Sequence, residues 1–417
     1  MTGRLLILIT VVGHILKLAG AGLLAAALGA QNYDDYAVAV ASVVVLSTIS
    51  ELGLGKYGMK LLPEARAASR PDIVRGYLKF SSRVVLGASL FLGLFAAWLE
   101  TWDAPQFVLN SPIEAMLFLP AAAMTGVVVE LCMATKRSLV ATMIIRIGVP
   151  IVPLAIAVIF LSTGRILSPL SATLAYGGGW VLGLSLSLPL LLRSLTDDEK
   201  TAEPIVVPKR WLSSSSGLML LGFALSWLAE GSILIADALI DVREEVSTYA
   251  ICVEIGLFLP ALVKSLDKMI LPSISEAVST KDHQMLSKIR MRRWRTVAPL
   301  LLVYWVTLLI GGRALLGLLG AGYVGHFPAL LLTGAGGTCL TLVSLSQWSL
   351  AFVRGSKPSV YAAIFATLLM CGLVVVLGNS WGARGAALGF FAGTFAFAVT
   401  IHLQVRPSLR RAMQETQ

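Results

Sequence analysis

The chain has 417 residues, of which 57% are hydrophobic and 13% charged, whereas soluble domains average roughly 45 to 50% and 25%. This composition, with a mean hydropathy of +0.82, excludes a water-soluble globular enzyme and indicates a chain whose solvent is lipid. Lys and Arg number 33 against 23 Asp and Glu, a formal net charge of +10. In a membrane protein this excess marks cytoplasmic loops, so we predict no nucleic-acid partner.

Twelve apolar segments are long enough to cross a hydrocarbon core of about 30 Å, which takes roughly 20 residues of helix. Helix is required because lipid offers no partner for backbone N–H and C=O groups. The segments lie near Leu5–Gly29, Ala37–Gly55, Val84–Leu99, Ile113–Ala134, Leu139–Leu161, Leu167–Leu192, Gly217–Ala236, Ser247–Leu266, Thr296–Ile310, Phe327–Val353, Tyr361–Leu377 and Gly385–Val405. We therefore predict an all-α polytopic membrane protein.

The basic residues concentrate in alternate loops. If the N-terminus is cytoplasmic, the external loops hold only Arg165, Arg243, Arg313 and, at a boundary, Arg384. All other loop cations are then internal, so the positive-inside rule predicts that both termini are cytoplasmic. Two internal stretches, Tyr57–Lys79 and Lys281–Trp294, have the composition of interfacial amphipathic helices.

The longest polar connection lies in the middle of the chain and separates two sets of six helices. We predict a six-helix N-terminal lobe over 1–193, a cytoplasmic linker over 194–210, a six-helix C-terminal lobe over 211–405 and a cytoplasmic tail over 406–417. Sliding the chain by 213 residues places Tyr36-Ala37-Val38 on Tyr249-Ala250-Ile251. Because six helices return the chain to its starting side, the two lobes would form a parallel repeat with the binding site between them.

The four cysteines give no sign of a metal centre or a redox motif. Cys132, Cys252, Cys339 and Cys371 lie in apolar segments, without CxxC spacing and without a histidine close enough to complete a zinc site. We interpret them as small core hydrophobes and predict no cofactor.

Short motifs along the whole chain carry a resemblance to a known family. They are Leu28-Gly29-Ala30-Gln31-Asn32-Tyr33, Glu51-Leu52-Gly53-Leu54-Gly55, Leu61-Leu62-Pro63-Glu64, Leu271-Pro272, Leu319-Gly320-Ala321-Gly322-Tyr323 and Gly382-Ala383-Arg384-Gly385-Ala386-Ala387-Leu388. With these motifs the chain resembles the polysaccharide flippases of the multidrug/oligosaccharidyl-lipid/polysaccharide exporter superfamily. The resemblance implies a transporter of the bacterial inner membrane that moves undecaprenyl-diphosphate-linked oligosaccharides. It also implies that the first two helices of each lobe line a central cavity, and that membrane lipids and a polysaccharide polymerase are partners.

Ionisable residues within spans cost at least about 2.5 kcal/mol, so they usually face a cavity or a partner. Lys17, Glu230 and Glu254 are predicted to lie at one level of the membrane, and the offset of 213 residues carries Lys17 onto Glu230. In one interpretation Lys17 binds the lipid diphosphate while Glu230 or Glu254 changes charge as ions drive the cycle. In the other, Lys17 pairs with one of these carboxylates and clamps the lobes together.

Four further residues of interest lie within the predicted spans. His14 precedes Lys17 by nearly one turn and either contributes to substrate binding or is a packing group. Trp227, which the offset aligns with His14, either stacks on a sugar ring or belongs to the core. Arg146 either pairs with Glu130 of its own lobe, which is the simpler interpretation, or is a second phosphate contact suited by its bidentate donors.

Three charged residues lie near the predicted cytoplasmic ends of spans. Glu51, Lys264 and Lys268 are long enough to snorkel to the interface. The alternative is that they form a vestibule that collects the diphosphate from the inner leaflet.

No catalytic or nucleotide-binding motif occurs outside the spans, so we predict that the chain is not an enzyme. The predicted function is alternating-access flipping of an undecaprenyl-diphosphate-linked glycan for exopolysaccharide or O-antigen synthesis, driven by an ion gradient or by substrate flow. The alternative is a cation-coupled drug or small-molecule exporter of the same superfamily. A membrane polysaccharide polymerase is a weaker alternative because it would need a long polar external loop.

Overall fold

The computed structural model describes residues 2–29, 32–100, 113–135, 137–279, 283–354 and 356–414, and all regular structure in these ranges is helical. Ala30, Gln31 and Lys281, which the sequence analysis names, lie outside the described residues. So does the end of the predicted tail. The described part divides into two compact units, one containing the residues up to Ser226 and the other those from Trp227, with Asp34 belonging to the second.

The first unit contains eleven α-helices and one π-turn. The helices are α1 (Thr2–Leu28), α2 (Tyr33–Ser50), α3 (Leu54–Ala67), α4 (Pro71–Glu100), α5 (Ile113–Met116), α6 (Leu119–Ala134), α7 (Ser138–Met143), α8 (Val149–Thr163), α9 (Pro169–Leu192), α10 (Asp197–Thr201) and α11 (Pro208–Ser226). The π-turn Ile144–Gly148 joins α7 to α8 in one continuous span.

The second unit begins with the π-turn Trp227–Gly231, which continues α11 into α12 (Ser232–Leu239). The later helices are α13 (Arg243–Gly256), α14 (Phe258–Ser279), α15 (His283–Leu319), α16 (Phe327–Arg354) and α17 (Lys357–Gln414), with a 3₁₀ turn over Ala321–His326. The division between the units therefore falls inside the seventh span. The lobe boundaries drawn at the mid-chain linker and the parallel repeat remain predictions.

The number of spans agrees with the prediction. Eleven helical segments of the described residues are long and apolar enough to cross a membrane, and the last of them, Lys357–Val405, contains a backbone break at Gly382. This break divides the segment into two, so twelve spans result. Large apolar side chains cover the outside of these helices, as in Phe91, Leu94 and Ile310, which are 67%, 71% and 81% exposed. A surface of this kind requires lipid as its solvent.

The break at Gly382 explains one motif of the sequence. Gly382 has φ 55° and ψ −136°, a conformation that glycine adopts without a steric penalty. The backbone N–H of Ala383 donates a hydrogen bond of 2.7 Å to the Glu245 carboxylate of α13. A carboxylate at this position satisfies a free N–H of the twelfth span and complements its positive helix end.

The predicted linker is docked onto the first unit. Glu199 of α10 is buried, and its carboxylate accepts two hydrogen bonds from the Arg66 guanidinium of α3, at 2.7 and 2.8 Å. Its side chain also completes a capping box with Thr196. Further along, the Arg75 side chain donates to the carbonyl of Ala202 at 2.6 Å. These bonds fix the connection to α3 and α4.

Of the two predicted interfacial helices, the first includes a separate helix, α3, which ends at Ala67 before α4 begins at Pro71, whereas the second is not a separate element. Tyr57–Lys79 divides between α3 and the first turns of α4, and the stretch that ends at Trp294 is the start of α15. In both places the backbone continues from the polar stretch into a span without a break, because no helix-terminating Gly or Pro lies at the predicted junction.

We predict that Glu199→Ala lowers the free energy of unfolding by about 2 kcal/mol, since it removes a bidentate, charge-assisted interaction. Burial alone would raise the pKa of Glu199, but the bonds from Arg66 and Thr196 hold that pKa below its ordinary value. The contribution is therefore present at neutral pH and is lost as the pH falls through the lowered pKa. Thermal unfolding in detergent at pH 7 and pH 4 measures both effects. Glu203→Ala, an exposed neighbour, is the control; equal melting temperatures for the two variants would contradict the prediction.

Candidate functional site

Two spans contain a π-turn, and each π-turn carries a predicted site residue. Arg146 lies in Ile144–Gly148 and Glu230 lies in Trp227–Gly231. In the first turn Pro150 has no N–H to donate to the carbonyl of Arg146 four residues earlier, which disrupts the α-helical bonding there. Single π-turns inside α-helices are frequent at functional sites, so the backbone geometry makes both positions candidates for a functional site.

Arg146 packs against α1 within the first unit. A Cβ at Gly13 of α1 would come within 2.6 Å of the Arg146 carbonyl oxygen, so only glycine permits this approach. On the same helix His14 is buried, and Lys17, about 4.5 Å further along the axis, is exposed. The structure therefore brings the α1 segment that carries His14 and Lys17 beside Arg146.

The predicted ion pair between Arg146 and Glu130 is wrong. Within the described residues the partly buried Arg146 side chain forms no hydrogen bond and no ion pair. The reason is that Glu130 faces α3 instead, where its carboxylate packs against Gly55. Arg146 is left as a cation at membrane depth whose five N–H donors are available to an anionic ligand.

Glu130 instead belongs to a pair of carboxylates that the sequence analysis did not predict. Glu51 lies in the turn after α2 and packs against Gly126 of α6, while Glu130 of α6 packs against Gly55 of α3. Gly55 follows Glu51 by four residues and Gly126 precedes Glu130 by four residues, so the two carboxylates lie close together. One oxygen of Glu130 is buried and has no hydrogen-bond partner within the described residues.

The surroundings of Glu51 favour its protonated form. Burial and the neighbouring Glu130 carboxylate raise the pKa of Glu51 to about 8, and the Lys56 ammonium only partly opposes them. Lys56 forms no ion pair within the described residues, and the nearby Tyr77 hydroxyl is committed to the carbonyl of Leu54. These surroundings therefore favour a neutral Glu51 side chain at neutral pH.

The remaining predicted site residues lie in the second unit. The Trp227 indole N–H donates to the Cys371 sulfur at 3.2 Å, and its ring lies over Gly231, so the ring is held within its own unit. Glu230 interacts electrostatically with the buried Tyr249 of α13. Glu254 of α13 is partly buried, and Lys264 of α14 is exposed. The side chain of Lys268 lies outside the described part.

The pairing of Lys17 with Glu230 or Glu254 joins residues of different units and stays a prediction. The described residues contain no group of three or more His, Cys, Asp or Glu side chains arranged to hold a metal ion.

We predict that wild-type stability falls as the pH rises from about 4.5 to about 8 and then levels off, because Glu51 takes up a proton on folding. Glu51→Gln, which mimics the protonated acid, should flatten this dependence and melt above the wild type at pH 8.5. Melting temperatures in detergent from pH 5 to pH 9 test this. The control is Glu64→Gln, an exposed acid on α3. Parallel curves for the wild type and Glu51→Gln would contradict the assigned pKa.

Comparisons with known proteins identify the fold. No known family pattern matches the sequence, and no curated protein matches it. Solved structures do match. An inward-facing multidrug resistance MATE family transporter of the MOP superfamily superposes with a TM-score of 0.73 at 12% identity, covering 97% of this chain and 96% of that chain.

Two other MATE transporters give similar results. The eukaryotic transporter AtDTX14 matches with a TM-score of 0.65 and 13% identity over 100% of this chain and 97% of its own. The Vibrio cholerae transporter VcmN matches with a TM-score of 0.65 and 15% identity over 98% and 97%. The predicted all-α polytopic fold is confirmed, and it is the fold of these MATE transporters.

Proposed function

We propose that this chain is a secondary transporter of the MOP superfamily that exports an organic solute by alternating access. The observation that carries the proposal is the match to MATE transporters along 97% of the chain, at a TM-score of 0.73. The matched structures include proteins described as multidrug resistance transporters, which supports the exporter over the polysaccharide flippase as the first candidate.

The Glu51–Glu130 pair gives this transporter a means of coupling to protons. A group with a pKa of about 8 changes protonation between the two sides of a membrane that maintains a pH difference. Because Glu51 lies in the turn between α2 and α3, loss of its proton would place two like charges together and push these elements apart. Such a change is a differential interaction that can favour one conformation of a two-state transporter.

We predict that deleting the gene increases drug sensitivity and that the wild-type protein restores resistance. Glu51→Gln should fail to restore it at matched membrane abundance, because its side chain is permanently neutral and cannot release a proton. The measurement is the growth-inhibiting concentration for a panel of cationic and neutral drugs. Glu64→Gln, exposed on α3, should restore resistance fully. Unchanged sensitivity on deletion would contradict the exporter.

The second candidate is a flippase for an undecaprenyl-diphosphate-linked oligosaccharide, acting before a polysaccharide polymerase. One specific observation favours it. The first unit places the unpartnered guanidinium of Arg146 beside the α1 segment with His14 and Lys17. Three basic groups at one level suit a diphosphate and do not suit a cationic drug.

We predict for this candidate that Arg146→Ala weakens substrate binding about 10- to 100-fold, the effect of losing hydrogen bonds to a charged group. Arg146→Lys should recover only part of this, because lysine keeps the charge and loses the bidentate geometry. Surface polysaccharide and intracellular lipid-linked repeat units are measured in the deletion strain carrying each variant. Accumulated repeat units with normal drug sensitivity would select the flippase, whereas normal polysaccharide with Arg146→Ala would exclude this role for Arg146.

A further inference from the structure

Helix α15 is much longer than a membrane requires. Its 37 residues extend about 55 Å, whereas the hydrocarbon core takes about 30 Å. About 15 residues must therefore lie beyond the core. The polar end is the first one, and we name residues 284–295 the basic segment, since this stretch contains five Lys or Arg residues and no Asp or Glu.

One face of the basic segment is anchored in the second unit. The buried guanidinium of Arg293 donates to both carboxylate oxygens of Asp267 in α14, at 2.7 and 3.0 Å. It also donates to the carbonyl of Thr341 at 2.9 Å and to the hydroxyl of Ser344 at 3.0 Å, both in α16. Leu286, two turns earlier, is buried on the same face. One of the five cations is thus neutralised internally and fixes the orientation of the helix.

The other face presents cations and large apolar side chains together. Lys288, Arg292 and Arg295 are exposed and form no ion pair within the described residues. Between them, Met291 is 57% exposed and Trp294 is 44% exposed. A helix that carries cations beside exposed tryptophan and methionine fits the boundary between headgroups and acyl chains. There the cations contact the headgroups and water, and the apolar side chains contact the acyl chains.

A shallow cavity of about 350 Å³, open to solvent and lined by α15 alone, lies along this segment. It is lined by Gln284, Met285, Lys288, Ile289 and Arg292, which recur at the spacing of one helical face. Lys288 and Arg292 are four residues apart, so their charges are neighbours and repel each other unless an anion lies between them. The apolar Met285 and Ile289 line the same cavity, which a small inorganic anion would leave unfilled.

We propose that the basic segment binds the phosphodiester headgroup of an anionic phospholipid, with Lys288 and Arg292 at the phosphate and Trp294 at the acyl boundary. Charge complementarity selects an anionic lipid over a zwitterionic one. The exposed apolar side chains select a lipid over free phosphate. This proposal does not depend on the transported substrate.

The test uses the full-length protein in a neutral detergent, with lipid binding followed by native mass spectrometry. Phosphatidylglycerol, phosphatidylcholine and inorganic phosphate are titrated in parallel at low salt. The triple variant Lys288→Gln/Arg292→Gln/Arg295→Gln should bind phosphatidylglycerol roughly 100-fold more weakly than the wild type. The matched control is Lys79→Gln/Lys209→Gln/Arg210→Gln, which removes three exposed cations from the first unit. Equal thermal stability of both variants is verified first, and single substitutions replace any triple variant that fails to fold.

A selective loss in the first variant, with wild-type binding in the control, supports the proposal. An equal loss of phosphatidylglycerol binding in both variants would show that net charge alone causes the effect, and this result would overturn the proposal. Phosphatidylcholine binding as tight as phosphatidylglycerol would overturn the role of the cations. Displacement of phosphatidylglycerol by equimolar inorganic phosphate would assign the cavity to a soluble anion instead.

Discussion

Hydrocarbon leaves a charged or hydrogen-bonding group without water, and the rest of this structure depends on that constraint. It forces the backbone into helices, and it makes every ionisable side chain at depth costly unless something compensates it. A buried charge with a structural role can be fully compensated by the protein itself, as the four hydrogen bonds donated by Arg293 show at the polar end of α15. Where compensation is incomplete, the residue is available for another partner.

The two π-turns follow from the same constraint. An α-helix in lipid cannot open its hydrogen-bond ladder without a replacement, so an irregular turn persists only where packing over-determines it. At Ile144–Gly148 the close contact with Gly13 supplies that packing, and at Trp227–Gly231 the tryptophan ring closes over its own turn. Each turn contains one charged side chain, Arg146 in the first and Glu230 in the second.

The sequence predicted the fold well and the site only partly, for physical reasons. Apolar segments of about 20 residues determine spans directly, so twelve helices could be counted, including the pair merged across Gly382. Side-chain pairing depends instead on how helices rotate against each other. Arg146 and Glu130 have suitable positions along their helices, yet Glu130 faces α3. The Glu51–Glu130 pair depends on Gly55 and Gly126, whose role is visible only when the helices are packed.

Arg146 and Arg293 show how the fold distinguishes a structural cation from a functional one. Arg293 lies outside the hydrocarbon at the polar end of α15, where water would have solvated it cheaply, and it is nevertheless fully bonded. Arg146 lies within a span, where the cost of an uncompensated charge is higher, and it has no partner among the described residues. If the missing partner of Arg146 were accidental, it would be expected at a position where an uncompensated charge costs little free energy. Arg146 therefore fits the anion-binding role proposed for it above, and whether an anion binds there is the question on which the two candidate functions separate.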